Sequence, residues 1–291
     1  MQVRLLICDL DNTLYDWVGF FVPAFYAMVD EAVQILDCDR DTLLDDLRAV
    51  HQKHHDTEHP FAILETATVI NTLRGLSDDE RKHVLDPALK AFNSIRKQTL
   101  HLYPGVEDTL SALAAEGITL VAHTESRFFA AAYRMRTLGL TKYFSRIYCR
   151  HRPEPSLEAP HRATTFIDNF PDENIVELSM HQRKPDPSVL AEIQRDMGVR
   201  ASDCAYVGDS LTRDVLMAKT AGIYAIWAKY GTNHDPAMYE KLVRISQWTP
   251  EEVAQESSLR NRVASIHPDL VIENTFDELL MYCAPQAAPR T

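Results

Sequence analysis

With 291 residues, 45% of them hydrophobic and 25% charged, the chain has room for one large or two modest globular domains. A formal net charge of −12 leaves no electrostatic footprint for nucleic acid as a partner. The five cysteines (Cys8, Cys38, Cys149, Cys204 and Cys283) are scattered and form no C-x-x-C pair, which argues against a disulfide framework or a zinc site.

The first element is RLLIC, a short apolar run with the continuous hydrophobicity of a buried parallel strand. It breaks into DLDNT, where Asp9 and Asp11 need partners if they stay buried. Large apolar residues at helical spacing over about 20–36 predict a helix, and DRDTLLDDLRAV predicts an amphipathic second one. A third candidate covers about 61–74. A fourth runs through SDDERKHVLDPALKAFNSIRKQ, opened by a Ser77 cap and an acidic first turn. His51 and His55 stand at i, i+4, a spacing that can bind metal, but with His54 and His59 they find no evident third ligand and read as solvated residues of the helical segment. Trp17, Phe20 and Phe21 follow the first acidic turn closely; packing among the helices is the default for them, a pocket wall the alternative.

A second apolar run, ITLVA, ends in His123, Thr124, Glu125 and Ser126, where a hydroxyl and the amides opening a helix suit an anion. A third strand is expected at about 146–149. A long excursion rich in Pro and charge then fills about 150–183. It leads to RKPDP, which holds Lys184 on a Pro-fixed loop as a point charge for a phosphate or a carboxylate cluster. CAYVGDSLTRDV gives a strand at 204–207, a tight turn at Gly208, and two acids, Asp209 and Asp214, able to converge on one cation. A second excursion over 229–267 reads as two extra helices. The strand DLVIEN, a helix near 275–282 and a disordered tail over 285–291 close the chain. The chain starts on a strand rather than a signal peptide, and no apolar run reads as membrane-spanning, so a cytoplasmic protein without a membrane partner is expected.

These four strand-end signals, in this order, resemble the haloacid dehalogenase (HAD) superfamily: DLDNT its first motif, HTES its second, RKPDP its third and GDSLTRD its fourth, over about 3–228. The resemblance implies an α/β fold, a doubly wound parallel sheet of Rossmann-like type with a helical cap domain. The core would be 1–14 and 101–284 and the cap 15–100, closing over the active site to select substrate. It implies that Asp9 is a nucleophile forming an aspartyl-phosphate and that Asp11 is the acid at the leaving oxygen and then the base for water. Leu10, Asp11, Thr124, Glu125 and Lys184 would bind the substrate phosphate, with Thr124 and Lys184 holding its oxygens. Asp9, the backbone carbonyl of Asp11, Asp209 and Asp214 would hold Mg²⁺. Glu125 departs from the small polar residue usual at its place, so its side chain is expected to turn away and offer only its amide.

The charges agree with a cation. One unit pair about 4 Å apart is worth roughly 4 kcal/mol at an effective dielectric near 20, so four carboxylates around a phosphate need Lys184 and a divalent ion. All the implied ligands are hard oxygens, which suits Mg²⁺. An acid at position 11 resembles the phosphatases, whose alkoxide leaving group needs a proton. The expected function is a Mg²⁺-dependent phosphomonoesterase for a small phosphorylated metabolite, a nucleotide or sugar phosphate among them, with a homo-oligomer left open. The alternatives are a phosphotransferase or mutase, a 2-haloacid dehalogenase, or a non-catalytic binding protein of the same fold.

Overall fold

A computed structural model of the chain describes residues 3–150, 174–179, 181–249 and 267–283. Its residues fall into two compact units: one holds 3–16, 101–233 and the described residues beyond 267, the other 17–100 and 234–249.

The first unit is built on a parallel sheet of β1 (Leu5–Cys8), β2 (Thr119–Arg127), β3 (Arg146–Arg150), β4 (Ile175–Leu178), β5 (Cys204–Gly208), β6 (Tyr224–Ala228) and β7 (Leu270–Ile272). Their spatial order is β4-β3-β2-β1-β5-β6-β7. The order reverses between β1 and β5, so the carboxyl ends of these two strands form the topological switch point where such sheets place ligands. β1 is central and its four residues are completely buried, which is why its sequence runs apolar without alternation. Leu5, Ile7, Val121, Tyr206 and Ala225 share a core cluster with Val189, Leu190 and Ile193 from α8 (Pro187–Met197). Truncating a residue such as Ile7 to Ala in a site of this kind costs about 2–5 kcal/mol.

Two strands were not legible beforehand. β6 went unread, and β4 falls in the segment expected to be an excursion; it pairs with β3 as an edge strand, and Glu177 faces solvent from it. Residues 151–173 of that excursion, the far half of 229–267 and the 285–291 tail lie outside the described residues.

The second unit is helical: α1 (Trp17–Leu36), α2 (Arg40–His54), α3 (Ala67–Thr72), α4 (Asp78–Val84), α5 (Asp86–Thr99) and α10 (Pro236–Ile245). Asp39 caps α2 by accepting from the Thr42 amide, and Ser77 and Glu80 form the reciprocal capping box of α4. The single helix expected from Ser77 is in fact two, because Pro87 cannot supply an amide to a continuous helix and instead sits in the first turn of α5. α10 corrects a second expectation. It lies in the 229–267 excursion assigned to the α/β core, yet it packs on α1 and α2, with Tyr26 donating to the Lys241 carbonyl at 3.0 Å.

α1 also corrects the reading that no apolar run is membrane-spanning: by length and composition it is long and apolar enough to cross a membrane. Eleven of its twenty residues are buried in the unit. Trp17 stacks on Phe21 with centroids 5.1 Å apart, and Phe21 meets Phe25 and Phe92, so these aromatics pack among the helices. His51 is buried with Nδ1 on the Ile245 carbonyl at 2.7 Å, while His55 takes a left-handed backbone conformation beyond the helix end.

Candidate active site

The site lies wholly in the α/β unit, at the carboxyl ends of β1, β2 and β5. Asp9 follows β1 directly, and its amide donates to the Val207 carbonyl of β5 at 2.9 Å, fixing the two strand ends together. The turn that follows needs a left-handed residue, which Asn12 supplies with φ 59°. Thr13 Oγ1 then reaches back to donate to Asp9 Oδ2 at 2.8 Å. Leu10 is completely buried and its carbonyl accepts from Thr13 and Leu14, so its amide is the polar group it can offer a phosphate.

Lys184 donates from Nζ to Asp9 Oδ1, and to Asp214 Oδ1 at 2.8 Å. Its side chain is only 3% exposed. Carboxylate oxygens of Asp9, Asp209 and Asp214 lie within 4.8 Å of one another. Gly208 is what permits this convergence: a Cβ there would overlap the Asp214 carboxylate. Asp214 accepts from the Ser210 amide at 3.0 Å and from Tyr206 OH at 3.1 Å. Since the Tyr206 proton goes to Asp214, the contact with His123 Nδ1 at 3.2 Å requires His123 to donate. Burial, with help from the Lys184 charge, holds His123 well below its ordinary pKa and therefore neutral.

The electrostatics show an excess of negative charge. Burial raises the Asp9 pKa against the pull of Lys184, and Asp214 and Asp11 raise it further. Burial, then Asp9 and Asp214, push Asp209 well above the ordinary carboxylate range. Burial opposes the Lys184 ammonium, yet Asp214 and Asp9 outweigh it and hold its pKa well above normal. Two buried acids and a half-buried third beside one lysine, all offering hard oxygens, fit a divalent cation of the Mg²⁺ type.

Asp11 sits beside this cluster, 22% exposed. Its Oδ2 accepts from Ser126 Oγ at 2.7 Å and Thr124 Oγ1 at 3.3 Å, and its Oδ1 accepts from Tyr15 OH at 2.9 Å. The β2–β3 register shifts between His123 and Arg127, the stretch that presents Thr124 and Ser126 to Asp11. The Glu125 carboxylate accepts from the Lys184 backbone amide at 3.1 Å and so fastens the Lys184 loop.

Several residues escaped the sequence reading. Ser126 and Tyr15 hold Asp11, and Trp227 Nε1 donates to the Asp209 carbonyl at 2.7 Å. Gly231 approaches Asn12 so closely that a Cβ would overlap its carbonyl oxygen. Arg134 was also missed, and it left a signal. In α7 (Phe128–Thr137) it is buried on the same stripe as Phe128 and Ala131, where a charge demands a partner. In the helical unit, His54, His59 and Glu65, rather than His51 and His55, bring ligand atoms within 4.8 Å.

The family model for haloacid dehalogenase-like hydrolases matches residues 3–222. A phosphoglycolate phosphatase of Pseudomonas fluorescens (strain Pf0-1) is 30% identical over 82% of this chain and 74% of its own length. A glyceraldehyde 3-phosphate phosphatase of Methanopyrus kandleri is 23% identical over 80% of this chain and 87% of its own. In fold, the chain matches a 2-haloacid dehalogenase from Pseudomonas syringae pv. Tomato DC3000 with a TM-score of 0.55, at 24% identity over 97% of this chain and all of that one. The HAD phosphatase from Thermococcus onnurineus gives 0.54 at 16% identity, over 99% of this chain and all of its own. By the family model, which spans most of its length, the chain belongs to the haloacid dehalogenase-like hydrolases.

Proposed function

We propose that this protein is a Mg²⁺-dependent phosphomonoesterase that works through an aspartyl-phosphate on Asp9 and serves a small phosphorylated metabolite in the cytoplasm. The observation that carries the reading is the pairing of two carboxylates with different surroundings. Asp9 is 5% exposed and fixed by Thr13 and Lys184, while Asp11, two residues on, is held by hydroxyls and partly open to solvent. One suits a nucleophile and the other a proton carrier.

Asp9, Asp209, Asp214 and the Asp11 carbonyl would hold the Mg²⁺, which supplies positive charge against the phosphoryl oxygens. The rest falls to the chain. An oxygen of Asp9 attacks phosphorus in line with the departing ester oxygen. As the phosphorus–oxygen bond breaks, Asp11 passes its proton to the alkoxide and becomes a carboxylate. It then takes a proton from water, which attacks the aspartyl-phosphate, releases inorganic phosphate and restores Asp9. Lys184 and Thr124 hold the phosphoryl oxygens, and Lys184 offsets the Asp9 charge before substrate binds.

Halide leaves carbon without a proton, so a dehalogenase would have no use for Asp11 and its hydroxyl partners. The phosphatase relatives make small phosphorylated carbon compounds the first substrates to try. Purified protein with Mg²⁺ should release inorganic phosphate from phosphoglycolate, glyceraldehyde 3-phosphate or another small phosphomonoester. Release of halide from a 2-haloacid, with no phosphatase activity on any of these, would overturn the reading.

A further inference from the structure

Arg134 lies outside all four motifs, yet its side chain is 1% exposed and its Nη2 comes within 3.3 Å of Asp11 Oδ1. A guanidinium cannot shed its charge at any ordinary pH, and burying one without compensation costs several kcal/mol. Its position therefore has to be explained by what it touches. Nη2 donates to Ser126 Oγ at 2.5 Å, and Nε donates to Tyr15 OH at 3.0 Å, with the guanidinium 5.7 Å from the Tyr15 ring centroid.

Both hydroxyls are thereby committed. A hydroxyl that accepts from Arg134 has its own proton free to point elsewhere, and in each case the next oxygen is Asp11: Tyr15 OH to Oδ1 at 2.9 Å, Ser126 Oγ to Oδ2 at 2.7 Å. The planar fork of one arginine thus sets the direction of two hydrogen bonds that grip the two oxygens of one carboxylate. Tyr15 comes from the β1 turn, Ser126 from the end of β2, and Arg134 from the second turn of α7, so three elements are tied at Asp11.

We infer that Arg134 is a positioning residue for Asp11, acting through the hydroxyls of Tyr15 and Ser126 to hold the carboxyl at the leaving oxygen. The inference rests on the phosphomonoesterase reading above. It separates the acid from the nucleophile: Asp9 is oriented by Lys184 and Thr13, and Asp11 by a network with no member in common. Loss of Arg134 should therefore injure the step that needs the proton and spare the attack by Asp9. Positioning errors of about 1 Å at a reacting group cost on the order of 100-fold, so the effect is measurable.

The test isolates the first step: it compares single-turnover rates of alcohol release from p-nitrophenyl phosphate, whose phenolate leaves without help, and from an alkyl phosphate the wild type turns over. Arg134→Met should lower the alkyl rate about tenfold or more beyond any loss on the aryl ester, with KM little changed. Arg134→Lys should recover part of the alkyl rate. In an Asp11→Asn background the Arg134→Met change should add nothing. If Arg134→Met does not fold, Tyr15→Phe and Ser126→Ala decide, since each removes one hydroxyl and should shift the same ratio in the same direction. Equal losses on both esters, or losses that multiply with Asp11→Asn, overturn the inference while the phosphatase reading stands. A wild type inactive on every phosphate ester removes that reading and this inference with it.

Discussion

Among the described residues, two trios of side chains bring potential ligand atoms within 4.8 Å, and they differ in how their charge is balanced. Asp9, Asp209 and Asp214 are three acids against one ammonium, that of Lys184, with Asp9, Asp214 and Lys184 buried and Asp209 half-buried. His54, His59 and Glu65 are one acid and two imidazoles, the side chains 26%, 14% and 34% exposed. There each carboxylate oxygen already accepts from a histidine, at 2.8 and 2.7 Å, and Lys53 adds a third donor at 2.9 Å. The two imidazoles stack in parallel with centroids 3.6 Å apart. Closeness of ligand atoms is shared by both trios; a surplus of buried negative charge belongs to the first alone. That surplus is what calls for a cation, whereas in the second cluster the one carboxylate already has its donors.

The comparison breaks most sharply at Asp9. Asp9→Asn should reduce turnover by at least about a thousandfold, because an amide oxygen is a poor nucleophile. It should melt no lower than wild type in metal-free buffer, because one of three crowded anions is gone. Phosphate release and a thermal melt check both halves.

Lys184→Met should come next. It leaves Asp9 and Asp214 without their ammonium, and breaking a buried pair of this kind costs about 3 kcal/mol or more when one partner is removed. A metal-free denaturant titration should show that loss, and added Mg²⁺ should recover part of it. A variant as stable as wild type would mean the carboxyls are already protonated and the surplus charge is absent.

The metal response should separate the trios. Mg²⁺ at about 100 times its Kd stabilises a folded protein by about 2.7 kcal/mol. Asp209→Ala should abolish the rise in melting temperature with Mg²⁺, and a His54→Ala, His59→Ala double variant should leave it intact. The opposite pattern would exchange the roles assigned to the two clusters.

The smallest effect concerns Glu65. Burial works against its charge, but hydrogen bonds from His54, Lys53 and His59 prevail and lower its pKa from 4.5 to about 2. A carboxyl depressed in the folded state stabilises above its unfolded pKa, and that contribution fades as pH falls from about 4.5 toward 2. With Glu65 a third exposed, solvent screening keeps it under about 1 kcal/mol. Glu65→Gln should lower stability by up to that amount above about pH 5 and flatten the acid limb as pH falls from about 4.5 toward 2, so that variant and wild type converge at the acid end.

The parts of the site legible in the sequence were those where polar residues interrupt an apolar strand: Asp9 and Asp11 after RLLIC, Thr124 after ITLVA, Asp209 after CAYVG. A short buried strand leaves an apolar run, and the polar residues that end it stand at the sheet's carboxyl edge. Lys184 on its Pro-fixed loop and Asp214 beyond the Gly208 turn were legible from local punctuation, and both meet Asp9 in space. What went unread depended on distant partners. Ile175–Leu178 carries Glu177 and shows strand character only once β3 pairs with it. Helix 236–245 joins α1 and α2 across some two hundred residues, a contact no local pattern announces. Arg134 broke the apolar stripe of its helix, but its partner, Asp11, lies 123 positions earlier in the chain.

The central claim is that Asp9 carries the phosphoryl group and Asp11 moves the proton. The most direct test is to quench Asp11→Asn during turnover of p-nitrophenyl phosphate with Mg²⁺ and map the protein by mass spectrometry. Attack by Asp9 needs no proton for this leaving group, whereas release by water needs Asp11 to take the water's proton, so the phosphoenzyme should accumulate. The account predicts one phosphoryl group, labile to hydroxylamine, on the peptide that contains Asp9. Phosphatase activity in the wild type with no adduct in the variant, or with the adduct on another residue, would contradict it.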